Sequence, residues 1–239
     1  MGMLIPGCAV LRAGIVAPLF CVAAVLMVAD AAHAARRGGS RPATPALDAQ
    51  AVDAAQFSAP SGKGGARGPS PATTIKAEIL LDRAGFSPGQ IDGQTGSNDQ
   101  KALAAFQAAN GLKPSGHLDA ETWSRLTATS NDPVLVEYEI QPGDVKGPFN
   151  KSIPASLEKK AELKNLNYTS PRELLGEKFH IDPGLLTRLN PKASFETAGT
   201  KIVPNVGRKP SEAKVEKVVV NKSALSIRAL DANGKLISF

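Results

Sequence analysis

The chain has 239 residues, of which 42% are apolar and 21% are charged, and its formal net charge is +6. This length and composition allow one or two globular domains. Its two cysteines, Cys8 and Cys21, both precede residue 35, so an exported chain cleaved there could use neither a disulfide nor a thiolate nucleophile. A basic exported protein meets anionic wall polymers before it meets nucleic acid, so the charge fits the cell envelope without identifying a ligand.

The first 34 residues have the organisation of a secretory signal peptide. Arg12 precedes an apolar run over residues 13–29, and Ala32-His33-Ala34 matches a small-residue cleavage site. We therefore predict a periplasmic or extracellular envelope protein without a stable membrane span. The alternative is an uncleaved segment that stays in the membrane as an anchor.

Residues 35–73 are rich in Ala, Gly, Pro and Ser, and their large apolar residues are Leu47, Val52 and Phe57. So little apolar surface does not offset the entropy of ordering the chain, so the segment is predicted to be a disordered linker. A short helix within residues 45–56 is the alternative.

Three short helices are predicted over residues 74–128. The first carries Ile75 and ends at Gly85, the second begins with a capping box at 97–100, and Asp119 caps the third. Their apolar positions predict a small core made of Leu80, Phe86, Ile91, Leu103, Phe106, Leu112, Leu118, Trp123 and Leu126.

This segment resembles the peptidoglycan-binding domain found near the N-termini of many wall enzymes. The resemblance rests on the strings at 85–93, 102–107, 110–112 and 116–123 and on Leu126. It implies glycan strands or stem peptides of peptidoglycan as partners, and it points to Asp92 and Gly93 as ligand-binding residues.

Residues 135–206 predict the order strand, helix, helix, strand. Residues 135–140 alternate like a strand, Ser170-Pro171 and Asp182-Pro183 each start a helix, and residues 201–204 form a closing strand.

That order resembles a LysM-type glycan-binding module, except that residues 145–169 form an insertion. The resemblance implies ligand-binding roles for Tyr138, Pro142, Gly143, Asp144, Asn190 and Pro191.

The last segment, 214–239, predicts strands over 215–220 and 224–230 and a third strand over 235–239. It is similar to the opening hairpin of the L,D-transpeptidase catalytic domain, whose cysteine nucleophile lies further along the family's sequence. Because two or three strands alone leave an apolar face and an open edge, we expect the hairpin to be poorly ordered or docked on the LysM-like unit.

Other chemistry has little support in the sequence. His117 and His180 lie in separate predicted domains, which argues against a metal site or a serine triad, and nothing indicates a cofactor. We expect His117 in a turn, His180 at a helix end close to terminal carbonyls, and Trp123 in the core. A glycosidase pair drawn from Asp92, Asp99, Asp119 and Glu121 is a weaker alternative, because Asp is common at turns and caps.

Together these patterns predict a multidomain α+β protein that binds peptidoglycan. In this interpretation the chain is the targeting portion of an L,D-transpeptidase and is itself catalytically inactive. Two alternatives stay open: the chain is a fragment of an active cysteine transpeptidase whose catalytic domain follows residue 239, or it is a glycan hydrolase.

Overall fold

The computed structural model describes residues 47–59, 68–205 and 212–239. The predicted signal peptide and both cysteines lie outside these residues. All three described segments belong to the unit Thr44–Phe239. In this part of the chain, none of the helices has both the length and the apolar character needed to cross a membrane.

Part of the predicted linker is folded. Helix α1 (Ala49–Asp53) begins where Asp48 Oδ1 accepts the amide of Ala51 at 2.8 Å, and the side chain of Val52 is fully buried against the core. The prediction of a disordered linker is therefore wrong for residues 47–59, and α1 lies within the short helix over 45–56 that was the alternative. Ala55 is buried as well, Leu47 and Phe57 pack against the core, and the Thr73 hydroxyl and Lys76 donate to the carbonyls of Gln56 and Ala55. These contacts stabilise a segment whose composition alone suggests disorder.

Three helices follow: α2 (Pro71–Arg83), α3 (Ser97–Ala109) and α4 (Ala120–Thr127). They confirm the predicted helical domain, although α2 begins earlier than predicted because Ser70 caps it. Gly96, and not Ser97, is the N-cap of α3, and Asp99 Oδ2 accepts the Gly96 amide at 2.7 Å. Asp119 caps α4 as predicted, accepting the Thr122 amide at 2.8 Å.

Aromatic residues fill the centre of this domain. The rings of Phe86 and Phe106 meet edge to face with centroids 5.4 Å apart, and the predicted core position of Trp123 is confirmed by its 7% exposure. Gln107 is fully buried beside them, and its side chain bonds to Thr122, to the His117 carbonyl and to the Gly116 amide. These bonds satisfy a polar group that would otherwise destabilise the core.

The next segment contains β1 (Tyr138–Glu139), α5 (Pro142–Lys146), α6 (Leu157–Ala161), α7 (Pro171–Lys178), α8 (Pro183–Leu189) and β2 (Lys201–Ile202). Strands β1 and β2 pair antiparallel, with Tyr138 opposite Ile202. The predicted strands and the helices α7 and α8 are present, but the strands are shorter than predicted. Helices α5 and α6 were not predicted and lie in the stretch between β1 and α7.

Backbone hydrogen bonds join this segment directly to the helical domain. Ile91 and Ile181 form a parallel bridge, in which the Asp182 amide donates to the Ile91 carbonyl at 2.8 Å and the Ile91 amide donates to the His180 carbonyl at 3.2 Å. Both isoleucine side chains are fully buried in one continuous core. The helical domain and the β1–β2 segment therefore pack as neighbours within one core.

The C-terminal segment forms an antiparallel sheet of β3 (Lys217–Asn221), β4 (Ser226–Leu230) and β5 (Leu236–Ser238). It docks on the helical domain: the Phe239 amide donates to the Gly85 carbonyl and the Ser87 amide to the Phe239 carbonyl, each at 2.9 Å. The expectation of docking on the LysM-like unit is therefore wrong, because the loop after α2 offers free backbone groups that the hairpin can pair with.

Candidate binding site

The loop between α2 and α3 is the most structured polar feature of the helical domain. Gly85, Gly89 and Gly93 have φ of 88°, 92° and 77°, values that favour glycine. Phe86, Pro88 and Ile91 are buried, Ser87 and Gly89 are half-buried, and Gln90 is exposed. The stretch of residues 87–90 is called the binding loop below.

Glycine is required at position 93 both by the positive φ and by the lack of space for a side chain. A Cβ at Gly93 would lie 2.8 Å from Ile75 Cγ1, and the Gly93 amide donates to Glu78 Oε2 at 2.9 Å. The turn after the binding loop is therefore clamped onto α2, which fixes the position of Asp92 at its end.

Three depressions surround the binding loop. One of about 440 Å³ lies toward the start of α3, one of about 380 Å³ toward the end of α7, and one of about 220 Å³ toward the C-terminal sheet. Gln90 lines the first two, Ser87 and Gly89 line the last two, and Asn98 lines the first and third. An extended ligand could contact several of these depressions from one position on the loop.

The depression beside α3 has an acidic character. Asp92 and Asp99 line it, and burial raises the pKa of Asp99. Glu78 lies beneath them and is 2% exposed. Burial and the nearby charges of the two aspartates raise its pKa from 4.5 to about 8, although the hydrogen bond from the Gly93 amide acts in the opposite direction. Its Oε1 has no hydrogen-bond partner within the described residues. Glu78 is therefore protonated at neutral pH.

Three of the four predicted glycosidase carboxylates have structural roles here. Asp92 Oδ1 accepts the Gln94 amide at 2.7 Å, Asp99 accepts the Gly96 amide, and Asp119 accepts the Thr122 amide. The hydrogen bonds from Thr122 lower the pKa of Asp119. These contacts favour the interpretation of all three residues as turn and cap residues.

Two of the residues predicted in the LysM-like unit meet in a polar cluster. Tyr138 donates its hydroxyl proton to Asp144 Oδ2 at 2.6 Å, and Lys178 Nζ lies 2.9 Å from Asp144 Oδ1 and 2.7 Å from the Tyr138 hydroxyl. Burial works against ionisation, but the hydrogen bonds from Lys178 and Tyr138 still lower the pKa of Asp144. Lys178 also lies 4.7 Å from the centroid of the Tyr138 ring.

The other predicted residues of this unit do not join the cluster through hydrogen bonds. Asn190 donates to the carbonyls of Leu186 and Val203 and accepts the Val203 amide at 2.7 Å, so it ties α8 to the end of β2. Pro142 and Gly143 are exposed in the first turn of α5, and Pro191 is exposed in the turn after α8.

Sequence reasoning missed three polar residues of these sites. Lys178 is one of many surface lysines and carries no local signal. Glu78 and Asp82 could have been found, because they lie three and seven residues after Ile75 and therefore on the buried face of α2. His180 lies at the end of α7 as predicted, and its amide donates to the Glu177 carbonyl at 3.2 Å. Its side chain has a different partner, because its Nδ1 lies 3.3 Å from Oδ1 of buried Asp82.

Comparison with known proteins identifies the helical domain. Residues 72–126 match the family described as "Putative peptidoglycan binding domain", which places most of α2, the binding loop, α3 and most of α4 inside the match. A search of curated proteins found no match. A peptidoglycan-binding domain is thus present at residues 72–126, which supports peptidoglycan as a partner and is consistent with association with the cell envelope.

Proposed function

We propose that this protein binds peptidoglycan through the binding loop and serves as the targeting portion of an L,D-transpeptidase in the cell envelope. The family match at residues 72–126 carries the binding part of the proposal. The resemblance of the C-terminal sheet to the opening hairpin of the transpeptidase domain supports the second part. In this proposal the chain holds the wall polymer and does not itself form cross-links.

The shape of the binding loop supports recognition of an extended polymer. Gln90 and Asn98 are exposed amides that line neighbouring depressions, and such groups can donate to and accept from glycan hydroxyls and peptide bonds. The nearby carboxylates of Asp92 and Asp99 favour ligand groups that donate hydrogen bonds, such as amines and hydroxyls.

Pelleting with isolated murein sacculi tests the binding proposal. We expect residues 44–239 to sediment with sacculi at moderate salt, and the double substitution of Gln90 and Asn98 to alanine to reduce the bound fraction several-fold. Gln50→Ala is the matched control, because Gln50 is equally exposed but lies on α1. Complete release at about 0.2 M salt would leave charge attraction alone and refute a specific site.

The targeting part of the proposal has a separate test. The same protein is incubated with purified stem peptides, and the products are separated by mass. We expect no cross-linked dimer, whereas dimer formation would show that the described residues carry cross-linking chemistry of their own.

A further inference from the structure

The predicted insertion, residues 145–169, runs from the last turn of α5 to the start of α7 and is called the lobe below. Two hydrogen bonds join the beginning of the lobe to its end. The Asn150 amide donates to the Tyr168 carbonyl at 2.9 Å, and the Asn150 side chain donates to the Asn165 carbonyl at 3.0 Å. It contains helix α6. None of its residues is buried, so the lobe is held by its stem without a core of its own.

The lobe nevertheless carries large apolar side chains on its surface. Leu157 is 76% exposed, Leu166 is 63% exposed and Tyr168 is 40% exposed. Together with the outer face of the C-terminal sheet, these residues account for most of the large exposed apolar side chains in the described part of the chain. Several large apolar side chains exposed within one short segment favour a surface that becomes covered by a partner.

The positive charge of the lobe limits the kinds of partner that it can bind. It contains five lysines, at positions 146, 151, 159, 160 and 164, against Glu158 and Glu162. Within the described residues, none of these lysines forms an ion pair. A second copy of the lobe would bring like charges together, and a wall polysaccharide would leave the leucines uncovered.

An anionic lipid surface satisfies both properties at once. Lysines near such a surface gain from its negative potential, while leucine and tyrosine side chains enter the boundary between headgroups and acyl chains. We propose that the lobe is a membrane-contact element, which rests on the anionic surface of a bilayer with Leu157 and Leu166 inserted and the lysines at the phosphate groups. This contact is separate from the binding loop, so it would allow the protein to touch membrane and wall polymer together.

Sedimentation with lipid vesicles tests the proposal. The protein is the unit 44–239, which omits the apolar run at 13–29 that could bind lipid by itself. We expect it to bind vesicles of phosphatidylglycerol mixed with phosphatidylcholine and to bind pure phosphatidylcholine vesicles at least about tenfold more weakly.

Two matched pairs of variants locate the contact. Leu157→Ser should lower the vesicle partition coefficient at least about fivefold, since burying a leucine contributes that much or more, whereas Leu225→Ser, at the same 76% exposure but outside the lobe, should not. The double substitution Lys159→Gln with Lys164→Gln should lower it by more than about tenfold, and the same change at Lys222 and Lys235 should have much less effect.

Several outcomes would overturn the proposal. The first is absence of binding to anionic vesicles, and the second is equal loss in the lobe variants and their controls. The third is a lobe variant that binds vesicles normally but loses sedimentation with sacculi, which would assign the lobe to the wall polymer. A fourth is a concentration-dependent mass in sedimentation velocity that Leu157→Ser abolishes, which would assign the lobe to a second copy of the chain. Because the substituted side chains are exposed, unchanged circular dichroism should accompany every variant.

Discussion

The buried carboxyl group of Glu78 gives the sharpest prediction about the stability of the peptidoglycan-binding domain. In the folded protein it holds its proton up to about pH 8, whereas the unfolded chain releases it near pH 4.5. Between these values unfolding releases one proton, so rising pH favours the unfolded state. The stabilisation is complete below pH 4.5, is lost progressively toward pH 8 and changes no further above it.

The expected size follows from proton linkage. One proton corresponds to a fall of about 1.4 kcal/mol in the free energy of unfolding for each pH unit, and to a total of about 5 kcal/mol over the interval. Glu78→Gln removes this dependence, because glutamine stays neutral and its carbonyl oxygen can still accept the Gly93 amide. The variant should therefore become increasingly more stable, relative to the native chain, as the pH rises from 5 to 8.

Urea unfolding of residues 44–239 at pH 5, 6, 7 and 8 measures this difference. The chain has a single tryptophan, and Trp123 lies buried in the same domain, so its fluorescence reports on the relevant core. Glu121→Gln is the control, because Glu121 is exposed in the first turn of α4. If the difference between Glu78→Gln and the native chain is the same at all four pH values, the reasoning is refuted.

Three further substitutions test the turn, the polar cluster and the folded part of the linker. Gly93→Ala should lower the free energy of unfolding by about 2 kcal/mol more than Gly111→Ala in urea titrations, because both glycines have positive φ but only Gly93 would clash with Ile75. Asp144→Asn should make the free energy of unfolding depend less on pH between pH 4 and 2. The lowered pKa of the Asp144 carboxylate stabilises the native chain above the ordinary pKa of an aspartate, and this stabilisation is lost as the pH falls. Val52→Ala should cost about 1 to 3 kcal/mol in the same urea assay, and no change would mean that α1 does not stabilise the domain.

The local signals in the sequence predicted the helical domain well. Asp119 caps α4, and the helix before Gly85 ends where the glycine takes a positive φ, because caps and glycine stops depend on a few neighbouring residues. The start of α2 was missed because Ser70-Pro71 lies in a stretch whose overall composition indicates a linker. Composition averaged over a long segment hides a strong start signal at its end.

The polar interior could not be predicted from helical periodicity. Glu78 and Asp82 occupy the buried face of α2, and each has an oxygen without a hydrogen-bond partner among the described residues. A pattern of apolar positions identifies the buried face but does not reveal which polar residues are tolerated there. Their burial depends on Gly93 and His180, which come from distant parts of the chain.

The sequence also did not predict the long-range contacts between segments. The sequence predicted the strands of the C-terminal sheet but placed the sheet on the wrong neighbour. Pairing between Phe239 and the loop after α2 joins residues more than 150 positions apart, and nothing in either segment's local pattern encodes it. The bridge between Ile91 and Ile181 was missed for the same reason.

These long-range contacts determine how the binding loop can recognise a ligand. The backbone of the flanking turns is already used: the Gly85 carbonyl and the Ser87 amide pair with Phe239, and both polar groups of the Ile91 backbone pair across the bridge to Ile181. Even the Gly89 amide donates to the Ser87 hydroxyl at 3.3 Å.

These backbone groups are therefore not free to contact a ligand, so the proposed recognition depends on the side chains of the loop. Gln90 is the exposed amide side chain that lines both of the larger depressions, so it is the group best placed to contact a polymer that crosses them. The anchoring contacts come from residues outside 72–126, since Phe239 and Ile181 both lie beyond the family match. In the proposed site, the position of Gln90 thus depends on contacts from the whole unit 44–239 and not on the three-helix domain alone.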